Sequence, residues 1–212
     1  MHFLIRPYPC YERGMRTVNP ERFEARQQHV REAALACFMR KGFHQASMAD
    51  ICTEAGMSPG NLYRYYDSKE AIIAAICEED LRQVTGRLEQ LGGRPDLFEA
   101  MLELAGESLS ASDPERKKFS CEILAEAARS ERIAAIVRRH HAAIVEICAA
   151  AIARAQATRE IDPSLDAHAA ASVLVAAAQG LSTRLALFPS SDASMSLAAF
   201  QLLLQRFLAP RR

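Results

Sequence analysis

The sequence predicts an all-α protein of about nine helices, with three short N-terminal helices followed by a larger helical bundle. Half of the 212 residues are apolar and alanine is abundant, a composition that favours helix over strand. Apolar residues recur at intervals of three and four, which is the period of an amphipathic helix. Gly, Pro, Ser and Asp separate these segments, and no stretch alternates as a half-buried strand would.

Charge and cysteine content exclude several protein classes. The 26 Lys and Arg residues balance the 26 Asp and Glu residues, so net charge points to no class of partner. The six cysteines form no CxxC pair and are irregularly spaced, which indicates reduced thiols and not a disulfide framework. No run of about 18 consecutive apolar residues is present to cross a bilayer. We therefore expect a cytoplasmic protein with no cofactor, no metal site and no membrane partner.

The N-terminal end combines an irregular arm with a first helix. Residues 1–20 contain three prolines and a glycine and show no helical period, which predicts the arm. The first helix is predicted from about Glu21 to Lys41, and Gly42 ends it as a C-terminal glycine. Its apolar face consists of Val30, Ala33, Ala34, Cys37 and Phe38.

Two further short helices are predicted between residues 47 and 66, joined by a tight turn. Ser47 is a favourable N-cap for the second helix, and Asp50 completes a capping box in the place usually held by Glu or Gln. Gly56 follows that helix, and Ser58 and Pro59 begin the third as N-cap and first residue. Two short helices joined by a glycine-containing turn form a helix-turn-helix, so residues 21–70 are assigned to a helix-turn-helix domain.

The third helix carries an outer face whose side chains suit contact with a DNA duplex. Leu62 and Tyr66 are four residues apart and share the inner face. The outer residues are Gly60, Asn61, Tyr63 and Arg64. A glycine lets the backbone approach DNA, Asn pairs with adenine, Arg pairs with guanine or phosphate, and Tyr donates to phosphate. Ser47 and Lys69 are further phosphate candidates. The alternative is a small three-helix core whose polar residues simply face solvent.

Residues 71–212 are predicted to form a helical bundle that is entered through a long fourth helix. That helix runs from Lys69 to about Leu91 and ends before the sequence GGRP. Asp-Pro and Ser-x-Pro signals separate five more helices, predicted at about 96–111, 114–129, 131–158, 163–187 and 194–208.

The segment from Val30 to Glu70 resembles the DNA-binding region of the TetR family of bacterial transcriptional regulators. The resemblance is carried by VREAALACF at residues 30–38, GF at 42–43 and ASMADICTEAGMSPGNLYRYYDSKE at 46–70. It implies a DNA-binding regulator of transcription and not an enzyme. By position, it implies phosphate contacts at Ser47 and Lys69. It also implies groove or backbone contacts at Ser58, Gly60, Asn61, Tyr63 and Tyr65.

The chain departs from the family pattern at positions that read DNA. Asn61 stands where Thr or Ser is common, and Tyr65 stands where His is common. We therefore expect the preferred base sequence to differ, while DNA binding itself is retained.

The resemblance extends more weakly into the C-terminal half. The sequence CEILAEAARSERIAAIV at 121–137 is similar to the connection between the family's sixth and seventh helices. The sequence IDPSLDAHAAASVLVAAAQGLSTRLAL at 161–187 is similar to its eighth helix, with Gly180 at a point of close packing. In that family the last two helices form a four-helix dimer interface. We therefore predict a homodimer on a palindromic operator, with an interface of Val173, Leu174, Ala177, Leu181, Leu185, Phe200, Leu203, Leu204 and Phe207.

The C-terminal domain is also predicted to bind an unknown small-molecule effector among its middle helices. The candidate residues are Met101, Phe119, Cys121, His140, His141, Cys148, Gln179 and Arg184. The two adjacent histidines point about 100° apart and make a poor metal pair. The predicted function is a repressor that releases its operator when the effector binds.

Three alternatives stay open. A thiol-based redox-sensing regulator would use the same DNA-binding domain and sense oxidants through Cys121 and Cys148. A helical enzyme or interaction module is a further alternative, although no Ser-His-Asp set, Gly-rich phosphate loop or HExxH motif is present. The N-terminal arm is either loosely packed or reaches along DNA through Arg13, Arg16 and Arg22.

Overall fold

The computed structural model describes residues 19–91, 97–109, 114–188 and 192–209, which form nine α-helices and no strand. The all-α prediction is therefore confirmed for the described residues. Of the predicted N-terminal arm, only Asn19 and Pro20 lie among the described residues. Of the three arginine candidates for contact along DNA, Arg13 and Arg16 lie outside them and Arg22 lies in the first helix. Cys10 lies outside the described residues as well.

The helices follow the predicted order. Their bounds are α1 Pro20–Lys41, α2 Met48–Glu54, α3 Pro59–Leu62, α4 Lys69–Leu91, α5 Leu97–Leu109, α6 Pro114–Ala127, α7 Glu131–Ala157, α8 Ala167–Leu187 and α9 Ala193–Leu208. The eighth helix begins four residues later than the expected residue 163. The reason is that Asp162 forms a local turn, in which its Oδ1 accepts from Ser164 N and Oγ, and Asp166 caps the helix instead.

The N-terminal helices pack around one apolar core. Its fully buried side chains include Val30, Phe38, Ile51, Leu62 and Ile72. Periodic apolar positions on α1, α2 and α4 supply this core, as the sequence predicts. Short connections join α1 to α2, α2 to α3 and α3 to α4 around this core.

Several helix ends in this core are capped by local groups, of which Gly42, Ser47 and Asp50 are predicted from the sequence and Asn19 is not. Asn19 Oδ1 accepts from the backbone N–H groups of Glu21 and Arg22 at the start of α1. Ser47 and Asp50 form the reciprocal capping box of α2. Gly42, with φ of 80°, ends α1 in a conformation that strongly favours glycine.

The N-terminal core continues into the C-terminal half of the chain. Phe119 and Ile123 of α6 and Ile133 and Ile136 of α7 belong to the same buried cluster. The Phe119 ring stacks on the Phe38 ring of α1, with centroids 5.7 Å apart and planes inclined by 9°. Buried apolar contact therefore joins the helix-turn-helix directly to α6 and α7, in addition to the covalent link through α4.

A second core lies within α5, α7, α8 and α9. It includes Leu109, Ile152, Leu174, Leu204 and Leu208, all exposed by 2% or less. The connection from α7 to α8 is fixed to this core by hydrogen bonds. Gln156 Nε2 donates to the carbonyl oxygens of Asp162 and Leu165, and Asp162 N donates to Leu208 O at the end of α9.

Candidate DNA-binding interface and effector domain

The turn between α2 and α3 has a defined geometry. Gly56 adopts φ of 60°, Met57 N donates to Cys52 O at 2.9 Å, and Gly56 N donates to Thr53 O at 3.2 Å. This pair of bonds is the Schellman arrangement that ends a helix at a left-handed residue. His29 of α1 contacts the same end of α2, with Nε2 2.9 Å from Ala55 O. The turn is therefore held from inside the helix and from α1.

The recognition helix α3 is shorter than the sequence suggested. It spans four residues, and the chain continues to Tyr66 in tight turns in which Tyr65 N and Tyr66 N both donate to Leu62 O. The inward pair is as predicted, because Leu62 is fully buried and Tyr66 is 6% exposed. The continuing turns keep the side chains on the sides that helical geometry assigns.

The predicted outer face of this segment is open to solvent. Gly60 is exposed, and a Cβ added there would meet nothing within 4 Å. Tyr63 is 52% exposed, Arg64 is exposed and Asn61 is half-buried. The backbone at Gly60, the Asn61 amide, the Tyr63 phenol and the Arg64 guanidinium are thus the groups that this outer face presents.

Tyr65 and Tyr66 contact α1. The Tyr65 ring is half-buried and lies 5.0 Å from the Phe23 ring, measured between centroids. Tyr66 Oη accepts from Arg31 Nη1 at 3.2 Å. Burial raises the pKa of Tyr66, and the Arg31 guanidinium opposes that rise. Tyr66 therefore remains a neutral phenol at neutral pH.

Buried Arg31 joins three helical segments through its guanidinium. Its Nη2 donates to Glu24 Oε1 at 3.1 Å within α1 and lies 3.8 Å from Glu79 Oε2 of α4. Together with the bond to Tyr66, these contacts connect the recognition segment to α4. Sequence reasoning missed Arg31, although a charged residue beside the apolar stripe of α1 was a usable signal.

The residues predicted to contact phosphate or the DNA backbone differ in the hydrogen bonds that they make within the protein. Ser47 Oγ donates to Asp50 Oδ2 at 2.7 Å, whereas Ser58 makes no capping hydrogen bond and is exposed. Lys69 Nζ donates to the carbonyl oxygens of Phe43 at 2.6 Å and His44 at 3.3 Å. An ammonium group has three donors, and these two bonds use two of them.

Asp50 is the most strongly perturbed carboxylate beside this surface. Hydrogen bonds from Lys41 Nζ, and then from Ser47 N and Oγ, hold its pKa well below the ordinary value of 3.8. The Asp50 carboxylate of the α2 capping box is therefore ionised across the physiological pH range.

Glu122 of α6 also reaches this half of the protein, which sequence reasoning missed. Its Oε1 accepts from Phe43 N at 2.7 Å across 79 positions of sequence. No local pattern signals a contact of that separation.

Two family models cover the chain. Residues 30–76 match the bacterial regulatory proteins of the tetR family, and residues 94–210 match the C-terminal domain of BetI-type transcriptional repressors. The chain belongs to the TetR family of bacterial transcriptional regulators. The helix-turn-helix described above is this family's DNA-binding region, and the chain is a transcriptional regulator.

Relatives of known name and structure agree with the TetR assignment. The HTH-type transcriptional regulator UidR of Escherichia coli K12 is 32% identical over 141 residues, which are 65% of this chain and 69% of UidR. The structure of Salmonella enterica GusR is 28% identical, has a TM-score of 0.73, and covers 91% of this chain and 98% of its own. A putative regulator from Saccharomonospora viridis, solved in complex with choline, is 19% identical, has a TM-score of 0.71, and covers 89% and 99%.

The predicted effector residues of this TetR-family chain do not form one lining. Met101 and Cys148 belong to the C-terminal core, whereas Phe119 belongs to the N-terminal core and stacks on Phe38. His140 Nε2 lies 2.9 Å from Asp80 Oδ2 of α4. The other candidates lie at or near the surface: Cys121 is half-buried, and His141, Gln179 and Arg184 are exposed.

The buried thiols are poor redox candidates. Burial raises the pKa of both Cys77 and Cys148 to about 11, so these thiols are protonated at neutral pH. The thiolate is the reactive form. Among the described residues all five cysteines are free, and the Cys148 thiol that the redox alternative pairs with Cys121 is buried.

The predicted dimer residues divide into three groups by burial. Leu174, Phe200 and Leu204 are 1–3% exposed and pack into the core of their own chain, which corrects their assignment to a surface. Val173 is 49% exposed. The remaining predicted residues are half-buried, namely Ala177, Leu181, Leu185, Leu203 and Phe207.

Much of the exposed surface of α8 and α9 is nevertheless apolar, although Gln179, Arg184 and Arg206 are exposed there as well. Sequence reasoning missed its largest exposed side chains, which are Leu187, Phe188, Met195 and Leu202, each 55–60% exposed. Ala169, Ala176 and Gly180 continue the exposed face along α8, and a Cβ added at Gly180 would meet nothing within 4 Å. Among the helices searched, α8 is also the one whose length and composition would allow it to cross a membrane, with 22% of its apolar window buried.

Proposed function

We propose that this chain is a cytoplasmic, homodimeric repressor that binds a palindromic operator and releases it when a small molecule binds the C-terminal domain. The observation that carries the proposal is the outer surface of α3 and the turn after it, where Gly60, Tyr63 and Arg64 are exposed and Asn61 is half-buried. No catalytic role is proposed for these residues, because their groups suit a nucleic-acid duplex.

Each group on this face has a role at DNA. Gly60 allows the backbone to approach the duplex, and Asn61 is placed to pair with adenine in the major groove. Arg64 would bind guanine or phosphate, and Tyr63 would donate to a phosphate oxygen. Half-buried Tyr65 would contact the duplex beside them.

Backbone phosphates would be held at both ends of the helix-turn-helix. Ser47 and Ser58 stand at the N-terminal ends of α2 and α3, and the N-terminal end of a helix favours an anion. Lys69 would use its third donor. These contacts would position the protein without reading base sequence.

The apolar face of α8 and α9 supports the homodimer. Exposed large apolar side chains in such a patch mark an interaction surface. Gly180 would let the partner's helix approach closely, since nothing in its own chain occupies the space beside it. A two-fold axis through this face would pair two recognition helices on half-sites about 34–36 Å apart. Contact with the partner subunit would bury more of α8 and would account for the low burial of this apolar helix in the single chain.

The effector would act through α4 and the helices packed against it. Arg31–Glu79 links α4 to the DNA-binding side, and His140–Asp80 links α4 to α7. The C-terminal match to BetI-type repressors supports repression, and the choline complex of the similar fold supports a small-molecule effector. A ligand would release DNA only by binding the released geometry more tightly.

The proposal is tested by fluorescence anisotropy on DNA chosen by the protein itself. Duplexes selected from random-sequence DNA should converge on a palindrome, and the purified protein should bind that palindrome as a dimer. Binding should exceed that to a shuffled duplex by about a thousandfold or more at fixed salt. Absence of binding, or equal binding to both duplexes, would refute the proposed function.

A further inference from the structure

The turn between α1 and α2 is held from both sides by charged side chains that belong to other helices. On one side, Glu122 Oε1 of α6 accepts from Phe43 N at 2.7 Å. On the other, Lys69 Nζ of α4 donates to Phe43 O at 2.6 Å and lies 4.6 Å from the centre of the Phe43 ring. Hydrogen bonds to ionised groups are about twice as strong as those between neutral groups.

The turn has the shape that the Glu122 carboxylate requires. Gly42 adopts φ of 80°, and a Cβ at that position would lie 2.8 Å from Glu122 Oε1. Glycine therefore serves both the backbone conformation and the close approach of the carboxylate. Apolar packing supports the same contact, because the Phe38 ring lies 5.3 Å from Phe43 and 5.7 Å from Phe119 of α6.

The turn between α1 and α2 leads directly into α2, the first helix of the helix-turn-helix. Ala46 N donates to Gly42 O at 3.1 Å, and Ser47 follows as the N-cap of α2. A displacement of α6 that moved Glu122 would therefore move the start of α2 through a few rigid, hydrogen-bonded residues. This connection is separate from the covalent one through α4.

We propose that Glu122 is a positioning residue that sets the orientation of the helix-turn-helix relative to α6, and so sets which half-site spacing the dimer binds. This inference rests on the proposed function, because spacing has meaning only for a dimer on a two-part operator. Helix α6 also packs on α7 and α8, so a rearrangement in the C-terminal domain reaches Phe43 through Glu122.

The test measures how strongly wild type and each variant prefer one distance between half-sites over another. The wild-type protein is first used to select a palindrome from random-sequence DNA. Duplexes are then made with one base pair inserted at or removed from the centre. Wild type should prefer the selected spacing, and Glu122→Ala should reduce that preference about tenfold, since it removes a hydrogen bond to a charged group.

A ratio of affinities separates positioning from general destabilisation. Loss of folded protein, or loss of a negative charge near DNA, changes binding to every spacing alike and leaves the ratio unchanged. Glu122→Gln keeps an oxygen that accepts from Phe43 N and should retain the wild-type ratio. Glu122→Asp keeps the charge but is shorter by one methylene group, and should behave as Glu122→Ala does.

Glu126→Ala is the matched control, because Glu126 lies one turn further along α6 and no side-chain contact ties it to the α1–α2 turn. Thermal denaturation checks that each variant is folded. If Glu122→Ala does not fold, the affinity ratio of Glu122→Asp is used in its place. An unchanged ratio in the shortened variants, an equal loss in Glu126→Ala, or a wild type indifferent to spacing would overturn the inference. Failure of wild type to select any palindrome would instead refute the proposed function.

Discussion

At the scale of single residues, the recognition segment divides its side chains between two tasks. Leu62 and Tyr66 face inward, and Tyr66 is fixed further by Arg31. Tyr63 and Arg64 face outward and have no core role. A substitution on the outer side should therefore change DNA recognition while leaving stability nearly unaffected.

Asn61→Ala should change base preference at one position of each half-site. An Asn–adenine pair contributes about 1–3 kcal/mol of discrimination, which the variant would lose. Competition binding with single-base variants of the selected operator measures this. Tyr63→Phe is the comparison, because it removes one phosphate donor and should weaken binding to all variants alike. Unchanged discrimination in Asn61→Ala would show that Asn61 does not read a base.

Asp50 should make stability depend on acid pH. Its folded-state pKa lies below the ordinary value of 3.8, so its contribution is complete above that pH and declines as pH falls below it. Asp50→Asn should therefore lower Tm at neutral pH and flatten the fall of Tm below pH 3.8. Glu126→Gln serves as the control carboxylate. Parallel Tm profiles for wild type and Asp50→Asn would contradict the prediction.

At the scale of helices and turns, two glycines beside the DNA-binding surface have opposite requirements. Gly42 has φ of 80° and faces the Glu122 carboxylate, whereas Gly60 lies in α3 with open space beside it. The fold requires glycine at position 42, whereas glycine at position 60 leaves the backbone accessible to the proposed DNA partner.

Gly42→Ala should destabilise the protein by roughly 1–3 kcal/mol through backbone strain and contact with Glu122. Gly60→Ala should leave stability nearly unchanged but weaken DNA binding, because its methyl group keeps the backbone from the duplex. Urea denaturation and anisotropy on the same two samples measure both effects. A stable Gly42→Ala variant, or a Gly60→Ala variant with full affinity, would show that these roles are wrong.

Helix prediction from sequence succeeded where a periodic apolar stripe met a capping residue. Ser47 with Asp50, and Gly42 after α1, mark their boundaries through local chemistry alone. Prediction failed at the start of α8, where the expected proline-led start was replaced by the Asp162 turn. The Glu122–Phe43 contact was also beyond prediction, since its partners are far apart in sequence.

At the scale of the whole molecule, periodicity alone could not separate core from interface. Val173 and Leu174 are adjacent and equally apolar, yet the first is 49% exposed and the second 2% exposed. Which of them meets a partner depends on how α8 is rotated against α7, and that rotation is set by tertiary packing. For the same reason the predicted effector residues are divided between the two cores and the surface.

Ala176→Glu should convert the proposed dimer into monomers and abolish operator binding. The residue is exposed on α8 between Val173 and Gly180, where a buried charge would have no partner. Ala142→Glu is the matched control, since it adds the same charge to an exposed position of α7. Sedimentation velocity reports the oligomeric state. A dimeric Ala176→Glu variant would place the interface elsewhere.

The clamp on Phe43 also provides a spectroscopic reporter. A backbone N–H that donates to a carboxylate at 2.7 Å has its proton strongly deshielded and protected from solvent exchange. In an NMR spectrum of the protein, the Phe43 amide should therefore stand at low field and exchange slowly. Its movement toward ordinary chemical shifts would register, at a single atom, the moment when α6 withdraws from the DNA-binding half.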